Sequence, residues 1–394
     1  MANTWITMTQ PSGGSRRKWT WSAWVKKSST GANQSLCVAY QDSANWTSIN
    51  FETSDELNFY EYQGNSVVGQ KKLSMVSRDV NSWYHFMIIW DSENLTADDR
   101  MIIYVNGVRQ TAFSASTNPA VNTSTAMNRN GYPVRIGTNN SNNYFNGSMS
   151  HVNFCGGQAL APTVFGETDA TTGEWKIISD PTFTPGIGGY SILIDGNSLT
   201  DQSANSNNFS LGGGTLTKTE DNPSNVFATL NSLDSDLTST PFLNGNTKVT
   251  GQNPESAKYY CGLTLGMMGD GKYYFEAQLN VNNQGVLGVC NLDASDTPTY
   301  LRQQNTFPGR YSSSFGYDLT DGGYYNNNSK TAYGGTSWAA NDFISFALDN
   351  TNGKMYIAKN GSWVNSGNPT NGTGGIDYSS IGDNNMFIVA DNNG

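Results

Sequence analysis

The chain has 394 residues and a net charge of −10, with 36% hydrophobic, 14% charged and 12% aromatic residues and 42 glycines. The acidic balance excludes a nucleic-acid binder that works by neutralising phosphates, and no stretch reaches the roughly 18 apolar residues of a membrane span. Ala, Leu, Glu and Lys are too scarce for long helices, whereas aromatics with abundant Gly and Asn suit strands joined by tight turns.

The N-terminal text MANTWITMTQ lacks the basic-then-apolar layout of a signal peptide. In Trp19-Thr-Trp-Ser-Ala-Trp-Val25, residues Trp19, Trp21, Ala23 and Val25 share one face and Thr20, Ser22 and Lys26 the other. That alternation predicts a half-buried strand. Trp24 breaks it and needs cover from outside the sheet. Trp83 to Trp90 is apolar on both faces and predicts a central strand. An acidic loop, Asp91 to Asp99, leads into Met101 to Val105, closed by Asn106-Gly107, the favoured pair for a two-residue hairpin. Val134 to Gly137 and Met149 to Cys155 predict two more strands, with the Asn-rich loop 138–147 between them.

Residues 156–250 are poorer in apolar runs, with one predicted strand at Tyr190 to Ile194 and connector-like text over 219–250. Strand rhythm returns at Lys272 to Asn280, where Tyr273, Phe275, Ala277 and Leu279 alternate with Tyr274, Glu276 and Gln278. Val286 to Val289, Ser314 to Tyr317 and Phe343 to Asp349 follow. Met355 to Ala358 is closed by a second Asn-Gly, Asn360-Gly361, and Met386 to Val389 is a last buried strand. Many short strands separated by turns predict antiparallel sandwiches rather than βαβ units. The four cysteines show no CxxC spacing and are read as reduced and structural.

WTWSAWVKK, NSWYHFMIIWD, MIIYVNGV, RIG and FNGSMSHVNF resemble a laminin-G/concanavalin A-like jelly roll. GKYYFEAQL, GVLGV, SFGYDLTDGGYYNN and NDFISFALDNTNGKMYIAKNGSW resemble a SPRY domain. The resemblance implies an all-β fold of two tandem antiparallel jelly-roll sandwiches. Residues 1–200 form the first (core 1–165 plus a trailing segment), 201–250 a connector, and 251–394 the second. The second text stops at IVADNNG, short of an expected closing strand; either this exposes an edge and favours a homo-oligomer, or the sequence is part of a longer chain. This order, with the linking phrases FGETDATTGEWK and NPSNVFATLN, resembles virion proteins of tailed phages, particularly marine ones. It implies a non-enzymatic fibre, appendage or decoration protein on the virion surface, assembled in the host cytoplasm. Its implied partners are other virion proteins and host cell-surface glycan, with no nucleic acid and no membrane insertion. The alternatives are a purely structural virion protein and a polysaccharide depolymerase.

The residues themselves offer little catalytic chemistry. Both histidines, His85 and His151, stand in apolar strands, no GxSxG elbow occurs, and no strand carries the close carboxylate pair of a glycosidase. Asp91, Glu93, Asp98 and Asp99 crowd one loop and are candidate ligands for Ca²⁺; a solvated acidic turn is the favoured reading, and no cofactor is expected beyond that candidate ion. Loop aromatics that could stack on sugar faces are Trp46, Tyr144, Tyr300, Tyr324, Tyr325, Trp338 and Trp363.

Overall fold

The computed structural model describes residues 3–80, 82–140, 142–235, 242–243, 246–249, 259–267, 269–279, 285–293, 307–382 and 385–391. The chain divides into two compact units, residues 1–227 and 228–394.

The first unit packs two antiparallel sheets face to face. The eight-stranded sheet runs, in spatial order, Phe113–Thr117, Ser66–Val76, Glu56–Gln63, Asn45–Phe51, Gln34–Asp42, Pro133–Ile136, Trp5–Thr9 and Ser210–Gly213. The six-stranded sheet runs Tyr190–Ile192, Gly147–Gly156, Lys18–Lys27, Tyr84–Asp91, Met101–Val105 and Val108–Arg109. The predicted alternation of the Trp19–Val25 text places Trp19 and Trp21 in the core between the sheets, with Phe59, Phe86, Ile88 and Trp90. Trp19 and Trp90 stack at 6.5 Å, and Phe59 meets both edge-on.

The opposite face of that strand is buried too, against the half-buried expectation. Residues 157–227 cover it. Thr20 donates to the Gln158 carbonyl (2.9 Å), and Lys26 bonds Asp221 at 2.8 Å with both side chains almost wholly out of water. Trp24 finds its cover there: it stacks on His85 at 5.1 Å, and His85 on Trp175 at 6.0 Å. Trp175 belongs to a small hairpin, Gly166–Thr168 with Trp175–Ile177.

Residues 201–250 are not a free connector. Ser210–Gly213 pairs with Trp5–Thr9, Asp221 is sealed under the first unit, and Leu230–Ser235 is a strand of the second unit. The polar, glycine-rich text hides this because the segment contributes backbone pairing and one buried charge rather than an apolar face.

The second unit is also a sandwich. Its seven-stranded sheet runs Leu230–Ser235, Tyr259–Met267, Asn385–Asp391, Val286–Asn291, Ser314–Asp318, Gly323–Asn326 and Ser329–Ala332. The facing sheet runs Lys272–Gln278, Phe343–Asp349, Lys354–Lys359 and Ser362–Trp363, with Ile376–Asp377 also pairing with Lys354–Lys359. Ile344, Phe346, Leu348, Met355 and Ile357 meet Leu287, Val289, Phe315 and Tyr317 between them. The Asn385–Asp391 strand, the last one read from the sequence, is paired on both sides and so lies in the interior of its sheet.

The two Asn-Gly hairpins are the same element down to the hydrogen bond. Asn106 and Gly107 have φ of 47° and 75°, Asn360 and Gly361 47° and 79°, the left-handed pair of a type I′ turn. Asn106 Oδ1 accepts the His85 backbone N–H at 2.8 Å, and Asn360 Oδ1 accepts that of Phe343 at 2.8 Å. The returning N–H···O bonds, Asn106 to His85 and Asn360 to Phe343, are both 2.9 Å. The asparagine is needed twice over: it tolerates positive φ, and its amide ties the turn to the preceding strand.

Candidate functional site

The outward face of the first unit's eight-stranded sheet carries the aromatic residues that the core does not use. In Glu56–Gln63, Leu57 and Phe59 point into the sandwich, so Tyr60 and Tyr62 point away from it. In Gln34–Asp42, Cys37 and Ala39 point in and Tyr40 out. Register then aligns three rings: Tyr40 lies directly opposite Trp46, and Trp46 directly opposite Tyr62. Trp46 and Tyr62 stack with centroids 4.0 Å apart, and Trp46 Nε1–H donates to the Tyr60 hydroxyl at 3.3 Å. All four rings are half-buried.

Beside the rings lies a polar row on Asn45–Phe51 and Glu56–Gln63, continued by Glu52 in the turn between them and by Gln70 on the next strand. Ser48 donates to Asn50 (3.2 Å); Asn50 and Asn58 both donate to Glu52 Oε1 (3.0 and 2.8 Å); Gln70 donates to Asn58 (3.1 Å). A flat apolar ring surface edged by amides and a carboxylate can stack on a sugar and bond its hydroxyls.

Of the aromatics expected from the sequence, Trp46 alone belongs to this platform. Tyr144 is half-buried in the 138–147 loop, and Tyr300 lies outside the described residues. The others serve the second unit's packing. Trp338 is 4% exposed and donates Nε1–H to the Tyr317 hydroxyl at 3.3 Å, so it is a core residue, not a ligand platform. Tyr324 packs on that core against Phe315 and Tyr333. Tyr325 meets Phe307 edge-on at 5.0 Å with the Lys330 ammonium 5.0 Å from its ring. Trp363 meets Tyr356 edge-on at 6.4 Å. Tyr40, Tyr60 and Tyr62 were missed because strand aromatics read as core. The available signal was phase, since two tyrosines flank an inward position in FYEY.

The four acidic residues proposed for Ca²⁺ do not converge. Asp91 and Glu93 reach Lys18 (3.1 and 3.7 Å), Asp99 pairs with Arg109 at 2.5 Å, and Asp98 accepts from Asn118 at 2.7 Å. Among the described residues no group of three or more His, Cys, Asp and Glu side chains is placed to hold a metal. Cations already lie within ion-pair distance of all four, Lys71 standing 3.9 Å from Asp98.

Both histidines are held in fixed roles. Trp175 Nε1–H donates to His85 Nδ1 at 3.1 Å, so the ring proton sits on Nε2 and faces Ser22 Oγ at 2.8 Å. Burial pushes the His85 pKa down to about 3. With Nε2 protonated, His85 cannot accept a proton from Ser22. His151 donates Nε2–H to the Ser179 carbonyl (3.1 Å) and accepts from Ser150 at Nδ1 (2.7 Å), and burial lowers its pKa. Glu61, which points inward between Tyr60 and Tyr62, is the buried carboxyl that sequence reading passed over. It accepts from Thr47 (2.5 Å), the Ala126 N–H (3.0 Å) and Gln63 (3.0 Å), and burial pushes its pKa up to about 8.

Two facing antiparallel sheets, twice over, define a tandem β-sandwich protein. The first sandwich carries a laminin-G/concanavalin A-like domain: the model of the concanavalin A-like lectin/glucanases superfamily matches residues 2–165. The second carries a SPRY domain, matched over residues 272–370. None of the curated proteins matches the chain. Similar solved structures include the human HERC1 SPRY domain (17% identity, 35% of this chain and 77% of that one, TM-score 0.27). Domain 4 of a Geobacillus stearothermophilus extracellular arabinanase, in complex with arabinotriose, is 18% identical over 38% of this chain and 65% of that one, with TM-score 0.29. Mouse laminin α1 domains LG4-5 are 10% identical over 98% and 78%, with TM-score 0.29. Among the described residues no helix is long and apolar enough to cross a membrane.

Proposed function

We propose that the first unit binds glycan on the outward face of its eight-stranded sheet, without turning it over. The observation that carries this reading is the Trp46–Tyr62 stack, aligned with Tyr40 and edged by Ser48, Asn50 and Asn58. The ring faces give apolar contact to pyranose C–H groups, and the amides and Glu52 give directional bonds to hydroxyls. A shallow sheet face of this kind yields weak single-site affinity, which repeated copies raise by avidity. The setting we propose is a tailed-phage particle, with host surface glycan as the target; the order of the two sandwiches and the phrases FGETDATTGEWK and NPSNVFATLN support it.

Glycan-array binding by the full chain tests the reading. Trp46→Ala and Tyr62→Ala should each weaken binding by about tenfold or more, the scale of a lost stacking partner, while the chain keeps a native circular-dichroism spectrum and cooperative unfolding. Binding that survives both substitutions moves the site elsewhere. A folded, multimeric sample that binds no glycan supports a purely structural role, and release of reducing ends from host polysaccharide would make the protein a depolymerase.

A further inference from the structure

On the same sheet face, two strands from Trp46, stands a cation with no counter-charge. Val134 and Ile136 point into the core, so Arg135 between them points outward with Tyr40 and Trp46. Its guanidinium carbon lies 5.6 Å from the centroid of Trp5 on one side and 5.6 Å from that of Tyr40 on the other. Nη1 donates to Asn140 Oδ1 at 2.7 Å. Nε–H is buried without an acceptor, and no described carboxylate lies within ion-pair distance. The Arg135 side chain is half-buried rather than sealed, so its unpaired charge is reachable from solvent. Here its flanking rings supply cation–π attraction and hold the fork still, in a protein whose net charge is −10.

We infer that the glycan taken by this face carries an anionic group on a sugar ring, a carboxylate or a sulfate, seated on Arg135 between Trp5 and Tyr40. The inference rests on the glycan reading above. The planar guanidinium fork suits two acceptor oxygens at once. Trp5, Arg135, Tyr40, Trp46 and Tyr62 stand on five adjacent strands, which at about 4.8 Å each span about 19 Å. One chain of several sugars can therefore put its charged ring on Arg135 and neutral rings on Trp46 and Tyr62. The protein's overall negative charge opposes a dense polyanion, so the ligand is sparsely charged, with one anionic ring among several neutral ones.

The test uses the full chain on an array of neutral, uronate-bearing, sialylated and sulfated glycans. Calorimetry then compares the strongest charged binder with its carboxyl-reduced or desulfated counterpart. The charged form should bind about tenfold tighter, the scale of one charge-assisted bidentate contact, and the advantage should shrink in high salt. Arg135→Gln should abolish the advantage while keeping affinity for the neutral form; Trp46→Ala should weaken both. The uronate and sulfate arms identify which anion is read. Equal affinity of the wild-type chain for charged and neutral counterparts overturns this inference and leaves the platform reading standing. Absence of binding to every glycan on the array overturns the platform reading itself.

Discussion

Trp175 donates its indole N–H to Nδ1 of His85 across 3.1 Å, while the two rings lie 17° from parallel. One residue thereby closes the sandwich's outer layer and fixes the histidine's tautomer. Protonating His85 would set two N–H donors against each other in a buried site. Its NMR resonances should therefore not titrate between pH 5 and 8. Trp175→Phe keeps the stack but orphans Nδ1, and should cost about 1–3 kcal/mol, the usual penalty for an unpartnered buried polar atom. A His85 titration midpoint near 6.5 would refute the assignment.

Lys26 and Asp221 form a sealed ion pair. Asp221→Ala leaves the ammonium uncompensated and should destabilise the first unit by about 3–5 kcal/mol, whereas an apolar pair such as Lys26→Met with Asp221→Leu should recover most of that. Asp221 also accepts the Phe227 N–H at 2.9 Å, so recovery should be incomplete. Denaturant unfolding of the wild-type chain and the two variants checks this; an Asp221→Ala loss below 1 kcal/mol would show that water reaches the pair.

Glu61 makes stability fall as pH rises. Its folded pKa is raised to about 8 from 4.5, so the native state holds a proton that the unfolded chain releases. The contribution is complete below about pH 4.5 and is lost on the way to pH 8. The two histidines, with lowered native pKa values, add an opposite slope only below about 6.5, where the unfolded chain takes up their protons. The melting temperature should therefore drop between pH 6.5 and 8. Glu61→Gln retains an acceptor for the Ala126 N–H and should flatten the drop. A wild-type profile that stays level or rises in that window would count against the buried acid.

The matched hairpins differ in what surrounds the glycine. A Cβ on Gly361 meets nothing within 4 Å, but one on Gly107 would lie 2.5 Å from the Trp175 ring. Gly361→Ala should cost only the left-handed strain of about 1–2 kcal/mol. Gly107→Ala should cost more and should loosen Trp175 as well, visible as a change in tryptophan fluorescence. Equal losses at both sites would mean that the small hairpin carrying Trp175 does not press on the turn.

Much of this fold was legible in the sequence because period-two alternation and Asn-Gly pairs report strand faces and turn geometry directly. WTWSAWV placed Trp19 and Trp21 in the core, and Trp24's break in phase correctly demanded outside cover. That cover was hard to see: Gly166–Thr168, Trp175 and Asp221 act through one ring, one charge and backbone pairing, none of which leaves a periodic signal. The site was less legible still. Tyr60 and Tyr62 become a platform only when cross-strand register sets Tyr62 against Trp46, and Arg135 becomes notable only once its missing carboxylate can be seen. Trp338 misled because a tryptophan in Gly/Ser-rich text resembles a loop platform until Tyr317 appears beneath it.

The bond from Lys26 to Asp221 spans 195 residues, and the strand Ser210–Gly213 lines the sheet beside Trp5–Thr9. During synthesis the amino-terminal strands therefore leave the ribosome long before the residues that seal them. Until Asp221 emerges, the Lys26 ammonium has no acid to meet and the Trp5–Thr9 edge has no neighbour beyond Pro133–Ile136. The native contacts of the first unit are therefore complete only once text that looks like mere spacer has been made.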